Sequence, residues 1–384
     1  MDLNTRMSLC VKQVVLSTLA LVLLGGCTDI GPRSIRANRA DYNMAIQSTS
    51  DQELLLNIVR AHYRDNMYFT TVERVVSTEQ LLSSAGANLS AGWTQSTPYN
   101  KGTTSSSVIS HGQSQTLGLG PAAVALNDEP TIFYAPIEGE KFVRQMMTPM
   151  NLETLILLVR SGWSIDRVFA VAVQEMNGLG NAPSASGPTP LYEPEYRDFR
   201  DATHLMRVMQ RTHNLDVGRT ASNKSVEFHF LHGSENSAEA KKLKQLLHLA
   251  PNIDRIAITR DDKKHDDHTI SITTRPLIAA MNYLSQAVDV PAIDVASGRV
   301  TRTVQNDGVT PFKWQDLLDG RFEVHSSSKP PEAPSVAIHY RNAWFYIADN
   351  DLESKSTFVL LTQLIALHSV PPKEGPVLSY SVGN

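Results

Sequence analysis

Apolar and polar positions along this chain follow two periodicities, helical and strand-like, which alternate without a fixed order. Ser50 and Glu53 match a capping box, and apolar residues then recur at helical spacing, so a helix is expected over 50–63. Val and Thr dominate 69–76, which predicts a strand. Further helices are expected at 138–147, 152–159, 199–212, 238–249, 276–288 and 352–367, and further strands at 131–134, 168–173, 226–231, 256–259, 269–273, 336–340, 344–347 and 377–380.

The irregular order of these elements favours an α+β fold of mixed helices and short, mostly antiparallel strands. The strands at 256–259 and 269–273 are expected to form a hairpin. A stretch rich in Gly, Pro, Ser and Asn suggests a linker at 181–195. We therefore expect two subdomains, an N-terminal one at 41–180 and a C-terminal one at 196–384.

A Ser/Gly-rich insertion occupies residues 83–120, where Lys101 carries the only charge if His111 is counted neutral. Small polar residues alternate strictly there with a set of apolar residues, Ala85, Ala87, Leu89, Ala91 and Trp93. This alternation over about ten residues matches one strand of an outer-membrane protein. A membrane-inserted hairpin at 84–119 is therefore one interpretation, and a disordered linker, a glycine-rich loop and an ordinary surface hairpin are the others.

The N-terminus has the organisation of an export signal. Arg6 and Lys12 precede an apolar run at 14–24, which is too short for a permanent membrane span but suits a signal peptide. The run ends in Leu24-Gly25-Gly26-Cys27, which resembles the bacterial lipobox. This resemblance implies cleavage between Gly26 and Cys27, removal of residues 1–26, and acylation of the Cys27 sulfur, with palmitate among the expected lipids.

Acylation of Cys27 has consequences for location and fold. Cys10 leaves with the signal peptide, so no internal disulfide is expected. Residues 27–40 then form a lipidated tether, and more than one acyl chain makes the attachment stable. In lipoproteins of this kind, aspartate directly after the cysteine favours retention in the inner membrane. Because Thr28 holds that position, the resemblance implies the outer membrane, with the protein on its periplasmic side.

Charge and composition exclude several classes of partner and of protein. The 384 residues include 35 basic and 39 acidic ones, a net charge of −4, so no nucleic-acid partner is expected. The composition also excludes collagen-like, rod-like coiled-coil and polytopic membrane proteins. The expected partners are the membrane, through the N-terminal lipid, and an envelope protein or further copies of the chain.

Two acidic segments are candidates for metal binding. His265, Asp266 and His268 lie within 261–268 and offer ligands for zinc or manganese, although a solvated loop between two strands accounts for the same residues. The segment 349–353 begins like a calcium loop but lacks its glycine, and a helix cap formed by Asn350 and Glu353 explains it better. We therefore expect no bound metal and no cofactor.

Familiar catalytic motifs are missing. The chain has no G-x-S-x-G and no H-E-x-x-H, and its S-x-x-K match, Ser326 to Lys329, lies in a Pro/Ser loop without the accompanying motifs. Acylated Cys27 offers no nucleophile. The chain is therefore expected not to be an enzyme, while a site assembled from distant residues leaves an envelope hydrolase as an alternative.

The densest aromatic patch runs from Tyr340 to Ile347 and is interpreted as a hairpin whose alternate rings enter the core. Together with 57–60 and 63–65, it resembles a family of uncharacterised Gram-negative lipoproteins. This resemblance implies an α+β lipoprotein and brings no catalytic residues.

Three functional hypotheses follow. The leading one is a non-catalytic, outer-membrane-anchored periplasmic lipoprotein with an interaction or assembly role. The second is an oligomeric outer-membrane pore or export component that inserts the hairpin 84–119. The third is the envelope hydrolase with a dispersed site.

Overall fold

The structure is a computed structural model that describes residues 30–85, 113–119, 122–137, 139–219, 226–260 and 266–368. Its helices are α1 (Ile30–His62), α2 (Glu140–Met147), α3 (Leu152–Arg160), α4 (Ile165–Ala172), α5 (Arg197–Arg211), α6 (Ala238–Leu246), α7 (Leu277–Ser285), α8 (Ala292–Ala296), α9 (Trp314–Leu318) and α10 (Leu352–His368). Within the described ranges, no helix is long and apolar enough to cross a membrane.

The strands form three sheets. β1 (Thr70–Ala85), β2 (Gln113–Leu119) and β3 (Ala122–Pro136) make a three-stranded sheet in the order β1-β3-β2. The largest sheet has six strands in the order β5-β4-β9-β8-β7-β6, formed by β4 (Val173–Met176), β5 (Leu179–Gly180), β6 (Leu215–Arg219), β7 (Val226–Phe230), β8 (Arg255–Thr259) and β9 (Thr269–Thr274). The third has the order β10-β12-β11 and contains β10 (His325–Ser327), β11 (Pro334–Tyr340) and β12 (Ala343–Ala348). The expected α+β fold of helices and mostly antiparallel strands is confirmed.

The chain divides into two compact units, one ending at Gln52 and the other beginning at Glu53. The linker expected at 181–195 lies inside the second unit. β4 and β5 precede this segment, yet they pair in one sheet with β9, which follows it. Asn181, Ala182 and Ala185 of the segment are buried.

Helix α1 corrects the expectation for the N-terminal region. It begins at Ile30 rather than at Ser50, and it overlaps the expected tether at 27–40. The Ser50 hydroxyl donates a hydrogen bond to the carbonyl oxygen of Ile46 at 2.8 Å inside the helix, so Ser50 is not a cap. No proline interrupts the chain between Pro32 in the first turn and the end of α1, which allows one long helix.

Two further expectations about elements are wrong. The apolar run 168–173, expected as a strand, is the last turn and a half of α4 followed by the first residue of β4. The strands β8 and β9, expected as a hairpin, pair in parallel, with Ile258 opposite Ile270.

The core of the second unit lies between the six-stranded sheet and the helices. Nearly every residue of α4 is buried, and the rings of Phe169 on α4 and Phe228 on β7 lie 6.4 Å apart between centroids. The core also contains the fully buried guanidinium of Arg275. Its nitrogens donate to the carbonyl oxygens of Ala170, Val173 and Asn181, and it lies 4.1 Å from the centroid of the Tyr283 ring.

Candidate functional site: the arm and the polar cluster

The sheet β1-β3-β2, called the arm below, consists of unusually long strands. β1 and β3 pair antiparallel from Thr70 opposite Pro136 to Ala85 opposite Ala122, with one irregularity between Val72 and Arg74. β2 pairs along the other side of β3. β3 is therefore central, and among the described residues β1 and β2 are each paired on one side only.

Charged residues occur in only one part of the arm. The register places Glu79 opposite Asp128 and Thr78 opposite Glu129. Beyond these positions, the whole sequence from 81 to 126 contains Lys101 as its only formal charge. The arm thus divides into a charged part near its base and an uncharged part that leads into the Ser/Gly-rich segment.

Two side chains of α1 bind the backbone at the base of the arm. Fully buried Asn57 donates from Nδ2 to the carbonyl oxygen of Tyr68 at 2.7 Å and accepts from the Tyr68 amide at 3.0 Å. The Glu53 carboxylate accepts from the Thr70 amide at 2.8 Å and from its hydroxyl. Both side chains take the place of a neighbouring strand, so α1 fixes where β1 begins.

A polar cluster brings together side chains from distant parts of the chain. Its members are Tyr63, Asp65, Asp294, Arg299, Tyr340 and Arg341. Tyr63 Oη donates to Asp294 Oδ2 at 2.6 Å, and Arg299 donates to Asp294 Oδ1 at 2.6 Å. Since Asp294 is 6% exposed, these two charge-assisted bonds compensate for its burial.

The second half of the cluster repeats this arrangement. Tyr340 Oη donates to Asp65 Oδ2 at 2.6 Å, and Arg341 donates to the same oxygen at 2.8 Å. The Arg341 guanidinium also lies 4.6 Å from the centroid of the Tyr63 ring, which links the two halves. Arg341 reaches this position from the tip of the β11–β12 hairpin, where its φ is 53°.

The cluster fixes the protonation states of its members. The hydrogen bond from Tyr63 and the charge of Arg299 lower the pKa of Asp294. Burial acts against ionisation of Asp65, but the bonds from Tyr340 and Arg341 outweigh it and lower the pKa of Asp65. Burial and the adjacent carboxylates raise the pKa of Tyr63 and Tyr340. At neutral pH the carboxylates are weak bases and the phenols weak acids, so the cluster suits fixed positioning better than proton transfer.

The predicted membrane and lipid residues lie mostly outside the described ranges. Gly26 and Cys27 are outside, and so are Ala87, Leu89, Ala91 and Trp93. Ala85 is the last residue of β1, opposite Ala122 of β3. The end of the proposed hairpin, 113–119, is strand β2, which pairs with β3 from Gln113 opposite Asp128 to Leu119 opposite Ala122.

The candidate metal residues are only partly described. His265 lies outside the described ranges, while Asp266 and His268 are exposed. Asp266 accepts a hydrogen bond from the His268 amide at 3.0 Å, which is a local turn contact. In the part of the chain that the structure describes, no three His, Cys, Asp or Glu side chains converge.

The acidic segment 349–353 is the start of α10. The cap is Asp351, which accepts from the Ser354 amide at 3.0 Å, so the expected pair of Asn350 and Glu353 is corrected by one position. Glu353 pairs instead with Arg167, and Asp349 accepts from Lys355 at 2.6 Å.

Sequence reasoning missed Asp294, Arg299 and the role of Glu53. The first two lie in 291–313, which shows no periodic pattern, and Glu53 matches a capping box. By contrast, 63–65 and 340–341 belong to the segments that carry the lipoprotein resemblance, and the structure brings them together. Searches of protein-family models, curated proteins and solved structures find no match to this chain.

Proposed function

We propose that this chain is a lipoprotein anchored to the periplasmic side of the outer membrane, with a non-catalytic assembly role, and that the arm is its assembly element. The observation that carries the proposal is the arm itself. Among the described residues, β1 and β2 each keep one unpaired edge, and such edges are templates for pairing with another chain. The lipobox-like Cys27 supplies the anchor, and the hydrogen bonds of Glu53 and Asn57 hold the start of the arm on α1.

The distribution of charge along the arm favours a second candidate, a pore or export component that inserts residues 84–119 into the outer membrane. A strand of about ten residues is enough to span that membrane. The register supports a boundary at Glu79 and Asp128, because the sequence from 81 to 126, which includes the hairpin, contains Lys101 as its only formal charge. In this proposal several copies associate, and each contributes one hairpin.

The lipid anchor is tested by labelling cells with radioactive palmitate while they express the protein with its own signal. The wild type is expected to take up label and to sediment with the outer membrane. Cys27→Ala is expected to lose both properties. Cys10→Ala is the matched control, since Cys10 is removed with the signal, and it is expected to keep the label. Labelling of Cys27→Ala would contradict the anchor.

The assembly role is tested by extracting the outer membrane in mild detergent and measuring the mass of the complex by light scattering. A uniform assembly larger than one chain is expected. A monomer in every membrane-derived preparation, with no co-purifying envelope protein, would contradict the assembly role.

Membrane insertion is tested with one position inside the proposed hairpin and one outside it. Leu89 is the middle member of the alternating apolar set, and Ser77 of β1 lies opposite Pro130 in the charged part of the arm. An arginine near the middle of the bilayer costs about 2–4 kcal/mol, against about 0–1 kcal/mol at the interface. Leu89→Arg is therefore expected to reduce protection of 84–119 from protease in outer-membrane vesicles, while Ser77→Arg leaves it unchanged. Equal cleavage in vesicles and in free protein would rule out the pore.

A further inference from the structure

A line of cationic side chains follows the outer face of α5. Their positions have the spacing i, i+3, i+7, i+10 and i+14, so they share one face of the helix over about 21 Å. The opposite face, which includes Phe199 and Met206, is buried. We call the outer surface the arginine stripe, and its members are Arg197, Arg200, His204, Arg207 and Arg211.

The guanidinium groups of the stripe are only loosely paired within the protein. The nearest carboxylates are those of Glu193 at 3.7 Å from Arg197, Asp201 at 3.8 Å from Arg200 and Asp166 at 4.0 Å from Arg207. A hydrogen bond between arginine and a carboxylate measures about 2.7–2.9 Å, so none of these contacts is one. Among the described residues, the Arg211 side chain has no hydrogen bond or ion pair at all.

Two of the three nearby carboxylates are hydrogen-bonded to residues outside the stripe. Asp166 accepts from Arg321 at 2.9 Å, and Glu193 accepts from the side-chain amide of Asn306 at 2.9 Å. The arginines of the stripe therefore keep donors for an anionic group from outside the chain.

Positive charge is most concentrated at the N-terminal end of the stripe. Arg197 and Arg200 lie within the first four residues of α5, where the helix dipole is also positive. Their guanidinium carbons lie 5.5 and 5.4 Å from the centroid of the Tyr196 ring, which holds both groups at this end. Since arginine at the start of a helix is unfavourable for the helix itself, an anion is the group that both the dipole and the arginines favour.

The surroundings of the stripe select the class of anionic partner. Asp201 and, further round the helix, exposed Asp198 lie on one side of the stripe, so a flat anionic membrane would meet carboxylates as well as arginines. The stripe contains no Trp, Tyr or Phe, and Tyr196 beneath it is 7% exposed, which leaves no aromatic surface for the stacking of bases or sugar rings. Carboxylate side chains of a polypeptide need neither a flat surface nor stacking, and they pair well with guanidinium groups.

We propose that the arginine stripe binds an acidic segment of a partner protein, whose Glu and Asp side chains accept hydrogen bonds from the guanidinium groups. This inference rests on the assembly role proposed above and names the chemistry of one partner. A helical segment of about 14 residues, or an extended one of about six, covers the length of the stripe. Each pair is exposed and weak by itself, so binding depends on several pairs at once and weakens with salt.

The test uses the full-length protein in a non-ionic detergent and follows binding by fluorescence anisotropy. The probe is a fluorescein-labelled peptide of alternating Glu and Ser with about 14 residues, the length of the stripe on a helix. It is expected to bind, and to bind more weakly at about 300 mM salt than at about 50 mM. A labelled peptide of alternating Gln and Ser is expected not to bind.

Variants separate the stripe from the overall charge. Arg197→Gln/Arg211→Gln is expected to bind the acidic peptide at least about tenfold more weakly, a change of about 1.4 kcal/mol. The matched control Lys141→Gln/Arg144→Gln removes the same charge from exposed positions of α2, and its affinity is expected to equal that of the wild type. Arg211→Glu, a change at an exposed position, is expected to weaken binding with an unchanged thermal midpoint, which excludes a folding defect.

Four results would overturn the proposal. The first two are absence of binding by the acidic peptide and an equal loss of affinity in the α2 control. The third is unchanged affinity in both stripe variants. The fourth is tighter binding of oligothymidylate, hyaluronate or phosphatidylglycerol vesicles through the same arginines, which would assign the stripe to a nucleic acid, a polysaccharide or a membrane. Because the peptide assay needs no membrane, its failure beside an intact membrane-derived complex would overturn this inference and leave the assembly role in place.

Discussion

Burial sets the protonation state of His62, which lies at the end of α1 with 6% of its surface exposed. Removal from water lowers the pKa of His62 to about 4, although a hydrogen bond with the Ser285 backbone acts in the opposite direction. Its Nδ1 atom is buried without a hydrogen-bond partner. The neutral ring is therefore the form that the fold accepts.

This burial predicts a specific dependence of stability on pH. Between pH 6.5 and about 4 the unfolded chain binds a proton at His62 that the folded chain does not, so stability is complete above pH 6.5 and decreases as the pH falls. This difference in the pKa of His62 between the unfolded and the folded chain corresponds to about 3 kcal/mol in the free energy of unfolding. Urea unfolding of the wild type from pH 7 to pH 4.5 is expected to show the decrease, and His62→Gln to show less of it.

The control for this prediction is His268→Gln, because His268 is exposed and its removal should leave the wild-type dependence unchanged. If the free energy of unfolding decreases equally with falling pH in His62→Gln and in the wild type, other groups cause the decrease.

Arg275 is the second buried group with a clear consequence. It is fully buried, and burial lowers its pKa to about 10, which leaves it charged at neutral pH. Its partners are carbonyl oxygens and the Ser186 hydroxyl rather than a carboxylate. A lysine cannot reproduce the planar set of donors, so Arg275→Lys is expected to lower the free energy of unfolding by about 2–4 kcal/mol.

Urea unfolding at pH 7 measures this loss. Arg144→Lys is the matched control, because Arg144 forms an exposed ion pair with Glu140 and should change stability by less than about 0.5 kcal/mol. If Arg275→Lys lowers the free energy of unfolding no more than Arg144→Lys does, the carbonyl oxygens that bind Arg275 accept hydrogen bonds from other donors in the variant.

At the level of elements, the sequence predicts those segments whose local pattern is unambiguous. The strand around Phe345 and the helix α10 are confirmed, because the pattern of each fits one periodicity. The run at 168–173 is uniformly apolar, and a buried helix and a buried strand share that pattern. The parallel pairing of β8 and β9 depends on the path between them, on which the strand patterns carry no information.

The hydrogen bonds from Glu53 and Asn57 of α1 to the backbone of Tyr68 and Thr70 lead to a prediction at the level of elements. Asn57→Leu removes both hydrogen bonds to Tyr68, and Glu53→Gln replaces the charged acceptor of the Thr70 amide with a weaker neutral one. Hydrogen exchange is expected to become faster at the Tyr68 amide in the first variant and at the Thr70 amide in the second. Exchange in the six-stranded sheet should not change with Glu53→Gln.

Glu140→Gln serves as the control, since it breaks an exposed ion pair on α2 and should leave exchange at Tyr68 and Thr70 unchanged. Unaltered exchange at both amides in Asn57→Leu and Glu53→Gln would mean that β1 is positioned by its pairing with β3 alone.

At the level of the whole molecule, the functional site is harder to predict than the fold class. Mixed helices and strands are enough to predict α+β, because fold class depends on many local patterns at once. The polar cluster instead joins Tyr63 to Asp294 and Asp65 to Tyr340, pairs that lie far apart in the chain. Tyr63, Asp65 and Tyr340 lie in segments on which the predicted lipoprotein resemblance rests, while Asp294 has no local signal.

The six-stranded sheet predicts that the second unit cannot be divided at 181–195. A fragment of residues 196–384 keeps β6 to β9 but lacks β4, the antiparallel partner of β9. It also lacks the carbonyl oxygens of Ala170, Val173 and Asn181, which leaves the buried charge of Arg275 without its acceptors. We expect this fragment to show no cooperative thermal transition by circular dichroism. A fragment of residues 53–384 retains the whole compact unit and is expected to unfold cooperatively. A cooperative transition in both fragments would instead place an independent domain after residue 195, since only a self-sufficient core unfolds in that way.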